Sequence, residues 1–241
     1  MKKPAGIDPN RKKVSEIYKI SLQIIEKHKA DKKAIKALGL KYAAKGGWEG
    51  ASLVGRLLLF AKDLVSDSEF EKVICKLGDD KSWEAREAAA GLTKELLLID
   101  FAYFLNVLKK MVKDKNPNIR RLAAVGSMQS KLGEARFKKV ADEIYGPLMN
   151  DDNVYVRKNL GPFAVSQFLR LYPEAAIRFF DEQIKTLKPR VIWNILNAFQ
   201  PARLRANQSL IKEAQRYLKT VEASKDKIIL AAVKSLEKRL N

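Results

Sequence analysis

Histidine and cysteine are almost missing from this chain, one of each in 241 residues, and the scarcity closes off several chemistries at once. The single thiol, Cys75, excludes an intramolecular disulfide and a cysteine metal cluster. Its place on the helical face of Phe70, Val73, Ile74 and Leu77 marks it as a small core residue. His28 ends a lysine-rich helix, where a lone exposed imidazole is seldom catalytic. A Gly-rich phosphate loop, a histidine-cysteine metal spacing and a nucleophile elbow are also lacking. Neither a metal nor a cofactor is therefore expected. Long apolar runs are missing too: Leu96-Leu97-Leu98-Ile99 is broken by Asp100, well short of a bilayer span. The basic N-terminus has no apolar signal segment. These absences predict a cytoplasmic chain without membrane contact.

Acid is the other shortage. Lys and Arg number 47 against 28 Asp and Glu, a net charge of +19 that exceeds what solubility requires and attracts polyanions by counterion release. Residues 1 to 45 hold 13 Lys and Arg against four Asp and Glu, so nearly half of the excess lies in the first fifth of the chain. Double-stranded DNA is the leading partner by charge. Acidic membranes, acidic proteins and a merely solvated basic face stay open. Hydrophobic content of 46% with no long single-sign charge block describes a folded body rather than a disordered one.

What is present is a repeat. The stretch Ser82-Trp83-Glu84-Ala85-Arg86-Glu87 returns as Asn118-Ile119-Arg120-Arg121 and as Tyr155-Val156-Arg157-Lys158, with arginine spacings of 34 and 37 residues. Val191-Ile192-Trp193 follows 36 residues later, Ile228-Ile229 another 35 later, and Trp48-Glu49 precedes Trp83-Glu84 by 35. That period, with no strand signal between copies, predicts an all-α protein, an α-solenoid of about six antiparallel helix pairs. We expect one domain over 1–241, with 1–30 a basic lead-in and capping helix and 31–241 the repeats, and a monomer. The predicted pairs are 31–45 with 48–63, 68–77 with 82–98, 100–113 with 117–131, 134–149 with 153–171, 174–186 with 189–200, and 207–221 with 226–239. Gly46-Gly47 supplies the first turn and Pro117 a helix start. Gly161-Pro162 falls inside a predicted helix and should kink it. Gln200-Pro201-Ala202-Arg203-Leu204-Arg205 reads as a basic connection.

The hydrophobic-Arg step that opens the second helices resembles HEAT repeats. More narrowly, Trp83-Glu84-Ala85-Arg86-Glu87, Asn116-Pro117-Asn118-Ile119-Arg120-Arg121 and Asp152-Asn153-Val154-Tyr155-Val156-Arg157-Lys158 resemble the HEAT-like DNA alkylation-repair glycosylases of the AlkD and AlkC type, over roughly residues 45 to 200. The resemblance implies a DNA glycosylase that excises cationic N3- or N7-alkylated purines from duplex DNA held in a basic concave groove. It implies Trp83 and Glu87 as the catalytic pair, four residues apart on one helix face. Arg120 would hold a phosphate, and Arg86, Arg121, Arg157, Lys158, Phe163 and Trp193 would contribute further contacts to DNA. Glu87 could stabilise the oxocarbenium-like sugar, and Trp83 offers a π-face to the cationic nucleotide. If the register is set on Lys81-Ser82-Trp83 instead, the catalytic position falls on Ala88, and no carboxylate remains.

The same residues have plainer readings. Trp83 could cover the gap between stacked repeats, as Trp48 would one repeat earlier. Glu87 could be a solvated residue or an ion-pair partner of Lys94. Arg86, Arg120 and Arg157 could form an internal ladder with Asp79, Asp114 and Asp151. A non-catalytic DNA-structure binder of the same fold and a repeat scaffold for protein partners both remain alternatives.

Overall fold

The computed structural model describes residues 14–240, apart from the side chains of residues 14, 15, 48, 49 and 206. The first 13 residues of the expected basic lead-in and the Trp48 side chain lie outside the described residues. All regular structure among the described residues is helical, in successive helix pairs joined by short connections, so the chain is an all-α protein of the α-solenoid class. It divides into two compact units, Met1–Leu92 and Thr93–Asn241.

In the first unit, α1 (Val14–His28), α2 (Lys32–Lys45) and α3 (Gly47–Phe60) close around Ile17, Ile35, Leu53, Leu57 and Ala61. The α2–α3 turn uses Gly46 and Gly47 at φ of 66° and 70°, a region that penalises residues with a Cβ. The Gly47 N–H donates to Asp80 Oδ2 at 3.1 Å, and a Cβ on Gly46 would stand 2.5 Å from that oxygen. Helix α4 (Asp67–Gly78) opens with a capping box between Ser66 and Glu69. Lys36 of α2 donates to the Glu69 carboxylate at 2.9 Å; this bond and those from Ser66 hold its pKa down at about 2. Phe70, Val73, Ile74 and Leu77 are buried as expected, but Cys75 is only half-buried, at the edge of that core rather than inside it.

Helix α5 (Trp83–Ile99) carries the chain into the second unit. There α6 (Phe101–Met111), α7 (Pro117–Gly126), α8 (Glu134–Val140), α9 (Gly146–Leu148), α10 (Val154–Asn159), α11 (Ser166–Leu171), α12 (Pro173–Ile184), α13 (Pro189–Ala198), α14 (Pro201–Ala206), α15 (Gln208–Thr220) and α16 (Lys227–Leu240) follow. Aromatic rings link one pair to the next. Phe137 stacks on Phe168 at 5.3 Å, Phe168 meets Phe179 at 6.1 Å, and Phe180, Phe199 and Tyr217 contact one another at about the same distance.

Three predictions change in detail. Helix α7 stops at Gly126 rather than 131, where buried Ser127 turns its hydroxyl onto the Ala123 and Ala124 carbonyls. Gly161-Pro162 does not simply kink its helix but widens it into a π-turn over Leu160–Val165. Pro162 has no N–H to give, and the Gly161 N–H points instead at Asn194 Oδ1, 3.0 Å away on α13. A Cβ at Gly161 would lie 2.7 Å from the Asn194 carbonyl oxygen, so only glycine permits the approach. The stretch after Gln200 is helix α14 with Pro201 in its first turn, not an irregular connection.

Candidate nucleic-acid interface

The second helices start from one recurring turn. Asp80 Oδ1 accepts from the Ser82 N–H, Asp114 Oδ1 from Asn116 and Asp151 Oδ1 from Asn153, all within 2.7–2.8 Å. The residue so held then caps the helix with its own side chain: Asn116 Oδ1 accepts from Asn118 N–H and Asn153 Oδ1 from Tyr155 N–H, both at 2.9 Å. Four residues beyond the cap comes the arginine of the repeat. Arg86 Nη1 donates back to the Asp80 and Lys81 carbonyls at 2.7 and 3.1 Å, and Arg120 Nη1 donates to those of Asp114 and Lys115 at 2.9 and 3.1 Å. The ladder thus uses Asp114 through its main chain.

Arg120 goes further. Its Nε and Nη2 grip Asp151 of the next turn at 2.6 and 3.2 Å, and this pairing raises its pKa above the ordinary arginine value. The resemblance gives this guanidinium to a DNA phosphate, but its three nitrogens are committed to its own turn and the next. Arg121 is likewise withdrawn. Only 4% exposed, it lies over the Tyr155 ring at 5.6 Å and donates to Asn159 Oδ1 at 3.2 Å. Both belong to the packing between helices.

One repeat later the same register is open. Arg157 sits where Arg86 and Arg120 do, but its guanidinium lies over the Trp193 ring at 5.7 Å, and its Nε is enclosed without an acceptor. Trp193 is half-buried on α13, one turn after Arg190, whose Nε is also enclosed without an acceptor. Lys158, beside Arg157, is exposed, and Phe163 on the π-turn is 57% exposed. Among the described residues, none of Arg157, Lys158 and Arg190 has a carboxylate within ion-pair distance. Further along, Arg203 of α14 faces Arg170 of α11, and burial and then that like charge hold its pKa below the ordinary value. The structure therefore brings Arg157 and Trp193 into direct contact and, among the described residues, leaves Arg190 and Arg203 on the helices that follow without an acid partner.

Trp83 and Glu87 belong to the first unit. Trp83, the first residue of α5, is 58% exposed. Glu87 and Gly91 follow at intervals of four, both exposed, and nothing would lie within 4 Å of a Cβ on Gly91. Ala88 turns away from this face and is half-buried. Arg86, on the same helix, is half-buried against its own turn.

Two further positions are not evident from the repeat pattern. Asn194, fully buried, receives the Gly161 N–H and donates to the Met149 and Arg190 carbonyls at 2.8 and 3.1 Å, so it ties α13 to the preceding pair. An asparagine inside the apolar run Val191–Phe199 is the signal for it, since such a residue is buried only when its amide is paired. Arg190 has no counterpart among the arginines of the earlier turns and is found only through its neighbour Trp193.

No family model matches the chain, and no curated protein matches it. Among solved structures, a designed armadillo repeat protein is similar at 19% identity over 87% of this chain and 93% of that one, with a TM-score of 0.43. An engineered protein is similar at 15% identity over 93% and 96% of the two chains, with a TM-score of 0.36. The helices themselves define the class, that of helical-repeat proteins.

Proposed function

We propose that this chain is a DNA-binding repeat protein that holds duplex phosphates with the unpaired arginines of its second unit. One observation carries the reading: in the register where Arg120 is locked onto Asp151, Arg157 has no carboxylate partner among the described residues and lies over Trp193, which follows Arg190 by one helical turn, while Lys158 next to it in the chain is exposed. Unpaired guanidinium groups backed by an aromatic surface are the footprint of phosphate recognition, and they complement the +19 net charge. Binding is expected to weaken steeply with salt. The double substitution Arg157→Gln, Arg190→Gln should lower the slope of log K against log salt by about 2, one for each phosphate no longer neutralised. Arg216→Gln, which removes a cation already paired with Asp181 and Glu213, should leave the slope unchanged. An unchanged slope in the double variant would overturn the assignment.

A second reading, excision of cationic alkylpurines, is favoured by Trp83 and Glu87. A carboxylate four residues from an exposed indole can face an oxocarbenium-like sugar while the indole contacts the cationic base. Release of free base from a 7-methylguanine duplex, compared for wild type and Glu87→Gln at equal DNA occupancy, tests it. Loss of about a hundredfold in rate is expected for the variant. No release by wild type, with binding intact, leaves a non-catalytic DNA binder.

A further inference from the structure

The C-terminal end of the second unit holds a cleft of about 590 Å³ between α14–α15 and α16. That volume lies in the range of small-molecule sites. Three cations line it, Arg205, Lys238 and Arg239, and among the described residues no carboxylate does. Arg205 and Lys238 are exposed and make no ion pair among the described residues. Arg239 is held from behind: Nη2 donates to Asn197 Oδ1 at 2.8 Å and Ser235 Oγ at 2.9 Å, and Nη1 to the Phe199 carbonyl at 3.3 Å. All these partners are neutral, so among the described residues the guanidinium is oriented without a counterion, and burial holds its pKa below the ordinary value. A half-buried cation without a counterion is costly unless an anion completes it. Across from Lys238 and Arg239 of α16, the α14–α15 side carries Leu204 and Ile211 beside Arg205, and Gln208 adds an amide able to pair with a polar edge.

We propose that this cleft binds a phosphorylated nucleotide, with its phosphates against Arg205, Lys238 and Arg239 and its base against Leu204 and Ile211. The charges require a polyanionic end, and the apolar pair with one amide suits a planar base with a hydrogen-bonding rim. The nucleotide is either free or the phosphorylated end of a nucleic-acid strand. The site does not depend on the Arg157 surface and is tested apart from it.

The test is calorimetric titration of adenosine 5′-diphosphate into the full chain and into Arg205→Gln and Lys238→Gln, both surface changes that spare the core. We expect affinity to fall roughly tenfold or more in each variant, the effect of removing one charge-assisted hydrogen bond, and to stay unchanged in Arg157→Gln. Adenosine should bind far more weakly than the diphosphate. Binding of adenosine and the diphosphate with equal strength, or variants that match wild type, would overturn the proposal, as would no binding of either the diphosphate or a 5′-phosphorylated strand. A 5′-phosphorylated oligonucleotide preferred over its 5′-hydroxyl form, with the preference lost in Lys238→Gln, identifies a strand end. Diphosphate binding without that preference identifies a free nucleotide. Should Arg157→Gln, Arg190→Gln leave DNA binding intact while the diphosphate still requires Lys238, the DNA interface falls and this site stands.

Discussion

Arg120 and Arg157 occupy the same position of consecutive repeats and do opposite things. Each lies four residues after an asparagine cap that is itself held by an aspartate. What differs is the next turn. Arg120 meets Asp151 there, whereas the turn after Arg157 has Thr186, Leu187 and Lys188, with no acid to offer. The ladder therefore ends where its acid ends, and the first arginine beyond it is left with an aromatic neighbour instead of a counterion. An arginine in a repeat is structural or available according to one residue in the following repeat, not according to its own surroundings in sequence.

The comparison breaks most visibly at Asp151. Its side chain is 6% exposed and that of Arg120 is 15% exposed, so removal of the carboxylate leaves a nearly buried cation with only the exposed Asp152, 3.9 Å away, and also strips the acceptor from the Asn153 N–H. Asp151→Ala should cost about 3–5 kcal/mol of stability by chemical denaturation. A loss under about 1 kcal/mol would mean that the Arg120 pair behaves like a solvated surface bridge and that the two arginines are not in different states. The variant should also unlock Arg120, which makes it a poor probe of DNA binding on its own.

Asn194 marks the other boundary of the ladder. Asn194→Ala leaves the Gly161 N–H and the Met149 carbonyl without their partners in a dry place, a cost of about 2–4 kcal/mol. The same change should loosen α13 and with it the seat of Trp193 under Arg157. A thermal shift within error of wild type would show that the π-turn keeps its shape without this amide.

How far the sequence alone leads depends on which force sets each feature. The helix pairs follow from apolar spacing and from turn residues, local signals that survive in one sequence. The Gly46-Gly47 turn and the Pro117 start are read correctly for that reason. The π-turn is not, because it answers to Asn194, 33 residues away in the chain. Helix α14 is missed since a proline-marked basic run reads as a connection, although proline at the first helical turn is compatible with a helix. Of the expected DNA contacts, Arg121 looks as exposed as Lys158 in a pattern of charges. Only the packing of Tyr155 over it shows that one arginine is interior and its neighbour one repeat later is not.

The smallest effect is the sharpest test. Thr186 stands two residues before Lys188, the cap of α13, as Asp151 stands two before Asn153, and its hydroxyl meets the Lys188 N–H only at 3.5 Å. Thr186→Asp supplies the missing acid at the ladder position. The carboxylate should draw Arg157 off Trp193 and convert it to the state of Arg120, with a stability change under about 1 kcal/mol because the turn is exposed. If the open arginine is what holds DNA, affinity should fall by roughly the amount that Arg157→Gln costs, with the same flattening of the salt slope. Affinity that survives Thr186→Asp, together with a chemical shift showing Arg157 paired, would separate the arginine from the DNA interface although its position in the repeat stayed the same.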